Sequence, residues 1–236
     1  MTKSFGEQTV LDRVSFEVED GTAFCLLGRS GVGKSVTLKL LIGLLNPDSG
    51  EVTVRGERVH DLPPPALSGL RRRMGFLFQQ AALFDSISVG ENVAFPLLRS
   101  GIPQEESRAR AERKLEQVGL GGQYDKMPSE LSGGMRKRAG LARALAMDPE
   151  VLLVDEPSAG LDPITSAEID ELLLDLKSGD GTTMVIVTHN IPSARRIGDR
   201  LALLERGTLH AEGTVEDLEK SDDELVRRFM RAGAGG

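Results

Sequence analysis

The stretch from Thr22 to Leu45 constrains this chain most. It joins the apolar run "TAFCLL", the turn "GRSGVGKS" and the run "VTLKLLIGLL", whose apolar residues recur at helical spacing. A buried strand thus runs into a glycine-rich turn that opens a helix. The spacing Gly28-x-x-x-x-Gly33-Lys34-Ser35 is the P-loop pattern. Glycines let the backbone curl so that successive N–H groups, along Gly28, Arg29, Ser30, Gly31, Val32, Gly33, Lys34, Ser35 and Val36, point at one anion. Lys34 adds a mobile positive charge for β- and γ-phosphates, and the Ser35 hydroxyl can ligate Mg²⁺. The helix that follows aims its N-terminus at the same phosphates. These residues together imply a nucleoside triphosphate as ligand.

A chain of 236 residues suits one large domain, or one domain carrying an inserted subdomain. The net charge of −7, from 29 basic and 36 acidic residues, disfavours nucleic acid as a partner. The single cysteine, Cys25, lies in the apolar run before the P-loop and reads as a core residue, compatible with a reducing cytoplasm. The start "MTKSFGEQTV" has no apolar signal region, and no stretch is apolar over the eighteen or so residues of a membrane span. Any membrane link is therefore expected through partners.

Along the chain, "TVLDRVSFEVED" alternates like a strand and "EVTVRG" reads as another. Pro63, Pro64 and Pro65 open a short helix through Arg73, before the buried strand "MGFLFQ". From about residue 83 to 140 the strands stop and helical patterns take over, with Pro103 at a helix start and Gly119 near a stop. Strands return at "EVLLVDEP", "TTMVIVTH" and "RLALLERG", interleaved with helices. Buried strands alternating with helices predict an α/β parallel sheet with a helical insertion. The tail "RAGAGG", residues 231–236, reads as flexible.

Two further stations carry chemistry. "VLLVDE" is a buried strand that pushes Asp155 and Glu156 out at its end, beside the P-loop. Asp155 is placed to hold a metal, and Glu156 to orient and deprotonate water. "LSGGM" spans Leu131, Ser132, Gly133, Gly134 and Met135 where a helix begins. Ser132 can cap that helix while the glycines expose N–H groups, giving a second anion site without a lysine. One ATP does not need two such sites on one chain, so the second is expected to face the ATP of another copy.

With these motifs in this order, the chain resembles the nucleotide-binding subunit of ATP-binding cassette (ABC) transporters over essentially its whole length, residues 1–236. The resemblance implies a P-loop core of the RecA-like type, a small antiparallel β subdomain and a helical subdomain inserted at about 83–140. It implies that Gln79 touches Mg²⁺ or the attacking water and links the core to the insertion. Ser158, Ala159, Gly160, Leu161 and Asp162 match the D-loop that crosses the dimer interface. His189, which alone would read as an ordinary strand-end histidine, matches the switch histidine at the γ-phosphate. His60 and His210 match no motif and read as surface residues. Phe5 matches the aromatic that stacks on adenine. Only "MTKS" precedes it, so either the start is trimmed or misassigned, or the family's usual first strand is missing.

"GRSGVGKSVTL", "FLFQQAALFDSISVGENVAFPL", "LSGGMRKRAGLARALAMDPE" and "DEPSAGLDPITSAEID" resemble one subgroup, the ATPases of MCE-associated, maintenance-of-lipid-asymmetry (Mla) phospholipid transporters, also linked with toluene tolerance. That resemblance implies a homodimer using ATP and Mg²⁺ under two transmembrane permease subunits, which dock a short helix near the Q-loop glutamine. It also implies an MCE-domain protein, sometimes a STAS-domain protein, and a place on the cytoplasmic face of the bacterial inner membrane. By charge alone, Met135, Arg136, Lys137 and Arg138 read equally as a solvated helix face. Three rivals stay open: a mechanical regulator of a membrane partner, a small-solute importer, and a P-loop kinase, against which "LSGGM" and "SAGLD" count.

Overall fold

The computed structural model describes residues 1–231; of the expected flexible tail, all but Arg231 lies outside the described residues. The chain opens with an antiparallel hairpin, β1 (Lys3–Phe5) and β2 (Gln8–Leu11). A first strand, ending on Phe5, is therefore present before the turn at Gly6, which removes one of the two alternatives, that the strand is missing. It is short, and Thr2 extends it by bridging to Ser49. The alternating pattern through Asp20 does not make one long strand. Pairing ends at Leu11 because Arg13 takes a left-handed φ of 50° and the Asp12 amide turns to the Gly207 carbonyl.

Next come β3 (Ala23–Leu27) and α1 (Lys34–Leu41), the strand and helix on either side of the P-loop. "EVTVRG" contributes only half of a small antiparallel ribbon, β4 (Thr53–Val54) with β5 (Glu57–Arg58). Helix α2 (Pro64–Arg72) starts on its prolines, and β6 (Met74–Leu77) follows. The middle of the chain holds α3 (Val89–Arg99), α4 (Gln104–Gln117) and α5 (Gly133–Leu145). Ser88 and Glu91 cap α3 reciprocally, at 3.2 and 2.7 Å. The remainder is β7 (Val151–Asp155), α6 (Pro163–Asp180), β8 (Thr183–Thr188), α7 (Ile191–Ile197), β9 (Arg200–Glu205), β10 (Thr208–Gly213), α8 (Val215–Glu219) and α9 (Glu224–Arg231).

The main sheet runs β10-β9-β3-β8-β7-β6. Four of its five pairings are parallel; the edge strand β10 turns back antiparallel on β9. Parallel strands covered on both faces need apolar residues on both. Cys25, Leu27, Leu152 and Val154 enter the cluster formed with α3 to α7. Phe24, Leu26, Leu153 and Val187 alternate into the opposite cluster with Leu38 of α1. Each such fully buried Leu contributes roughly 1.5–3 kcal/mol of transfer free energy. Burial also pushes the Cys25 thiol up to about 12, so it is an inert packing group.

Because β3, β6, β7 and β8 are parallel, their C-terminal ends share one edge of the sheet. The P-loop, Gln79, the Asp155–Glu156 pair and His189 all follow those ends. In open α/β sheets this edge is where ligands sit.

Candidate functional site

The turn after β3 is shaped for an anion. Gly33 caps α1 with φ 109° and no side-chain acceptor, so no side chain of the cap competes for the first amides of the helix. A Cβ on Gly33 would lie 2.6 Å from Leu11 Cδ2, so β2 presses directly on the turn. Arg29, Ser30 and Gly31 are exposed, Val32, Ser35 and Val36 half-buried, and Gly28 buried. Lys34 is only 5% exposed, and its ammonium donates to the carbonyls of Gly28 (2.8 Å) and Arg29 (3.0 Å).

Two strands away, β7 delivers its carboxylates to the same place. Asp155 Oδ1 accepts from Ser35 Oγ at 2.9 Å, and burial raises the Asp155 pKa above the usual carboxylate range. Glu156 Oε1 pairs with Lys34 Nζ at 3.2 Å. Its Oε2 accepts from Thr188 Oγ1 (3.2 Å), the His189 amide (3.2 Å) and His189 Nδ1 (2.8 Å). Strand β8, lying between β3 and β7, supplies the first of these donors from its last residue, and His189, the residue that follows it, supplies the other two. The Glu156 backbone is left-handed, φ 48°, with its amide donating to the Val187 carbonyl. A non-glycine residue held there is strained, and such strain gathers at functional sites. Chemically the cluster offers a cradle of amides, one mobile cation, and a carboxylate whose donors a phosphate could draw away.

Ser35 and Asp155 fit a divalent cation: two hard oxygen donors in contact, one of them a buried carboxylate matched only by a hydroxyl. Mg²⁺ is commonly held by one or two such groups together with substrate phosphates.

Not every expected residue joins this set. Gln79 is exposed on the turn after β6. That turn is held in an unusual shape: Ala81 and Ala82 are both left-handed, and Arg143 of α5 donates to their carbonyls at 2.6 and 2.7 Å. Phe5 is 47% exposed at the tip of the first hairpin, with Lys3 Nζ 5.5 Å from its ring centroid. An exposed aromatic there is free to stack on a base. Phe5→Ala should therefore weaken ATP binding about tenfold, in line with roughly 1–3 kcal/mol per stacked base, with little change in Tm. Nucleotide titration and calorimetry check both.

The "LSGGM" station stands apart from the bonded set. Ser132 caps α5 by accepting from the Met135 amide at 3.2 Å, Leu131 is buried, and Gly133 is exposed. A Cβ on Gly134 would meet Thr165 Cγ2 at 2.4 Å, so the start of α5 abuts the start of α6. In the "SAGLD" turn, Ser158 Oγ accepts from Asn190 at 3.1 Å, and Asp162 caps α6 through the amides of Ile164 and Thr165, both at 3.0 Å. Gly160 is exposed, and Ala159 and Leu161 are half-buried.

Sequence reasoning missed Lys137, Arg143 and Thr188. The reading of residues 135–138 as a solvated face is corrected at Lys137, which is 5% exposed and donates to the Glu156 carbonyl at 2.8 Å. Its helical phase, shared with Gly134 and Leu141, carries that signal. His60 is likewise half-buried against Asn46 rather than a free surface group, whereas His210 is exposed and pairs with Asp223.

A phosphate-receiving turn at the C-terminal edge of a parallel sheet, with an acidic pair from a nearby strand, defines a P-loop nucleoside triphosphatase. The family model described as "ABC transporter" matches residues 11–159. The chain is 44% identical over 232 residues to the "Probable ribonucleotide transport ATP-binding protein mkl" of Mycobacterium leprae, covering 98% of this chain and 67% of that protein. It is 42% identical to the "Methionine import ATP-binding protein MetN" of Caulobacter vibrioides, over 99% of this chain and 71% of the relative. It is 41% identical to "Protein TRIGALACTOSYLDIACYLGLYCEROL 3, chloroplastic" of Arabidopsis thaliana, over 99% and 72%. The chain spans 64–67% of the length of the mycobacterial relatives. Among solved structures, the ATP-binding cassette MJ0796, described as dimeric and bound to ADP and Pi, is similar with TM-score 0.82 and 36% identity, over 90% of this chain and 94% of that one. The cbiO1 protein of Clostridium perfringens matches with TM-score 0.84 and 29% identity, over 99% and 94%. This chain belongs to the ABC transporter family, as an ATPase cassette.

Proposed function

We propose that this chain is the ATP-hydrolysing subunit of an MCE/Mla-type bacterial phospholipid transport system, working as a homodimer beneath two permease subunits on the cytoplasmic face of the inner membrane. The observation that carries the dimeric ATPase reading is the division of labour within the chain. Lys34, Glu156 and His189 form one bonded set with the Ser35–Asp155 pair beside it, while the exposed Ser132–Gly133 helix start lies outside both and is free for a partner's nucleotide. The similar cassette MJ0796 is described as dimeric.

In this mechanism, ATP enters the P-loop and its phosphates compete for Lys34, drawing the ammonium from Glu156 and the two carbonyls. His189 turns toward the γ-phosphate. Glu156, relieved of both donors, accepts the proton of the attacking water. Ser35 and Asp155, with Gln79 brought in from its exposed turn, would hold Mg²⁺, which supplies charge neutralisation to the phosphates. Ser132 and Gly134 of the second copy close over the nucleotide, and the "SAGLD" turns meet across the dimer. Opening of the pair after hydrolysis sets the pace.

Among the described residues no helix is long and apolar enough to cross a membrane. A groove of about 560 Å³ beside the Gln79 turn supports the docking of a permease helix. It is lined by Phe84 and Phe95, both exposed with ring centroids 4.9 Å apart, and by Arg99 and Arg143. Lipid cargo is supported by the subgroup phrases of the sequence and by the lipid-derived name of the plant relative. A small-solute importer remains the second reading, favoured by the methionine-import relatives at 39–42% identity.

Purification of the membrane-assembled complex, with its companions and lipids identified by mass spectrometry, tests the proposal. The expected companions are a permease and an MCE-domain protein with bound phospholipid. Recovery with a solute-importer permease and no MCE protein would overturn the lipid reading.

A further inference from the structure

Lys137 is a buried lysine that no carboxylate touches among the described residues, an uncommon arrangement. It rises from α5 five residues after Ser132, about 7.5 Å along the helix axis. The residue is 5% exposed, and its ammonium donates to the main-chain carbonyl of Glu156 at 2.8 Å. The same carbonyl also accepts from the Ala159 amide at 3.2 Å. The cation thus grips the peptide between the Glu156 side chain and the turn that leads into "SAGLD". Glu156 is the residue on which a grip has most effect, because its left-handed φ of 48° must be maintained from outside. The charge faces Asp155, the last residue of β7, and Glu156 just after it; Lys34 and His189 approach the Glu156 carboxylate from the other elements of the site. Burial alone depresses the Lys137 pKa, so the chain sustains a desolvation cost to keep this group in place.

We propose that Lys137 is a positioning residue for ATP hydrolysis, tying the helix that receives the partner's nucleotide to the Glu156 backbone of its own chain. The inference rests on the dimeric reading above and deepens it. When the second copy's ATP seats on Ser132 and Gly134, α5 moves as a rigid rod. Lys137 then carries that movement to Glu156. Each nucleotide so helps to set the base that acts on the other, and the two sites fire in concert rather than alone.

The test is Lys137→Met in the membrane-assembled complex. Methionine keeps the length and loses the donor, while the Ala159 amide still satisfies the Glu156 carbonyl. Removing a buried charge without orphaning its acceptor leaves stability level or improves it. The expected result is a kcat lowered at least tenfold, a KM for ATP within about threefold of wild type, a Tm no lower, and a loss of cooperativity in ATP concentration. A kcat within twofold of wild type would overturn the proposal. So would a fall of Tm, binding and kcat together, which marks a packing role. Glu156→Gln and the double variant Glu156→Gln/Lys137→Met, run alongside, should both dimerise with ATP. If Glu156→Gln itself stays monomeric with ATP, the dimeric reading fails instead, and the two failures are told apart.

Discussion

Glu156→Gln is expected to abolish steady-state ATP turnover, by at least about 100-fold, while ATP binding persists and a closed dimer accumulates. A positioned base contributes about 10²–10⁴-fold to a proton-transfer step, and the amide cannot accept the proton. The shape is retained, so the amide oxygen still receives the Thr188 hydroxyl and the His189 amide now held at 3.2 Å. What disappears is the 3.2 Å ion pair with Lys34. Since that pair competes with phosphate for the ammonium, ATP affinity should stay level or rise. Phosphate release and size-exclusion chromatography with ATP read the two halves of the prediction. Near wild-type hydrolysis would remove Glu156 from the role of base.

Lys34→Ala should do the opposite, weakening ATP binding about 100-fold. The cation leaves the phosphate site, and charge-assisted hydrogen bonds of about 1.5–3 kcal/mol each are lost there; every 1.4 kcal/mol is tenfold in Kd. Glu156 loses its buried counter-ion at the same time, although three donors from β8 and His189 remain on its other oxygen. The variant should therefore fold but melt somewhat earlier without nucleotide. Isothermal titration with ATP separates the two effects. An unchanged affinity would argue against the P-loop assignment.

The sheet was legible where sequence pattern and burial agree. "TAFCLL", "VLLVDE" and "TTMVIVTH" are apolar on both faces, as strands must be at the centre of a parallel sheet, and they became β3, β7 and β8. Their common polarity then brings Lys34, Ser35, Asp155, Glu156 and His189 together, a juxtaposition that motif order suggests and strand topology produces. The periphery was less legible. Alternation in residues 9–20 reads as one strand, yet a single left-handed Arg13 ends it, and no local signal marks a non-glycine residue for that conformation. A first strand of three residues is too short to show a period at all. Within α5, consecutive charges from Arg136 to Arg138 look alike on paper, but successive residues of a helix point about 100° apart, so one is buried beneath the site while its neighbours meet solvent.

The close approach of Gly134 to Thr165 has a mechanical corollary. Thr165 is fastened to Asp162 through both its amide and its hydroxyl, at 3.0 and 2.6 Å. With 2.4 Å between a would-be Cβ and that side chain, nothing can be wedged between the two helix beginnings. Under the dimeric arrangement proposed above, the edge turned to a twin molecule would accordingly be a single stiff ridge, passing a push on either end along its whole length.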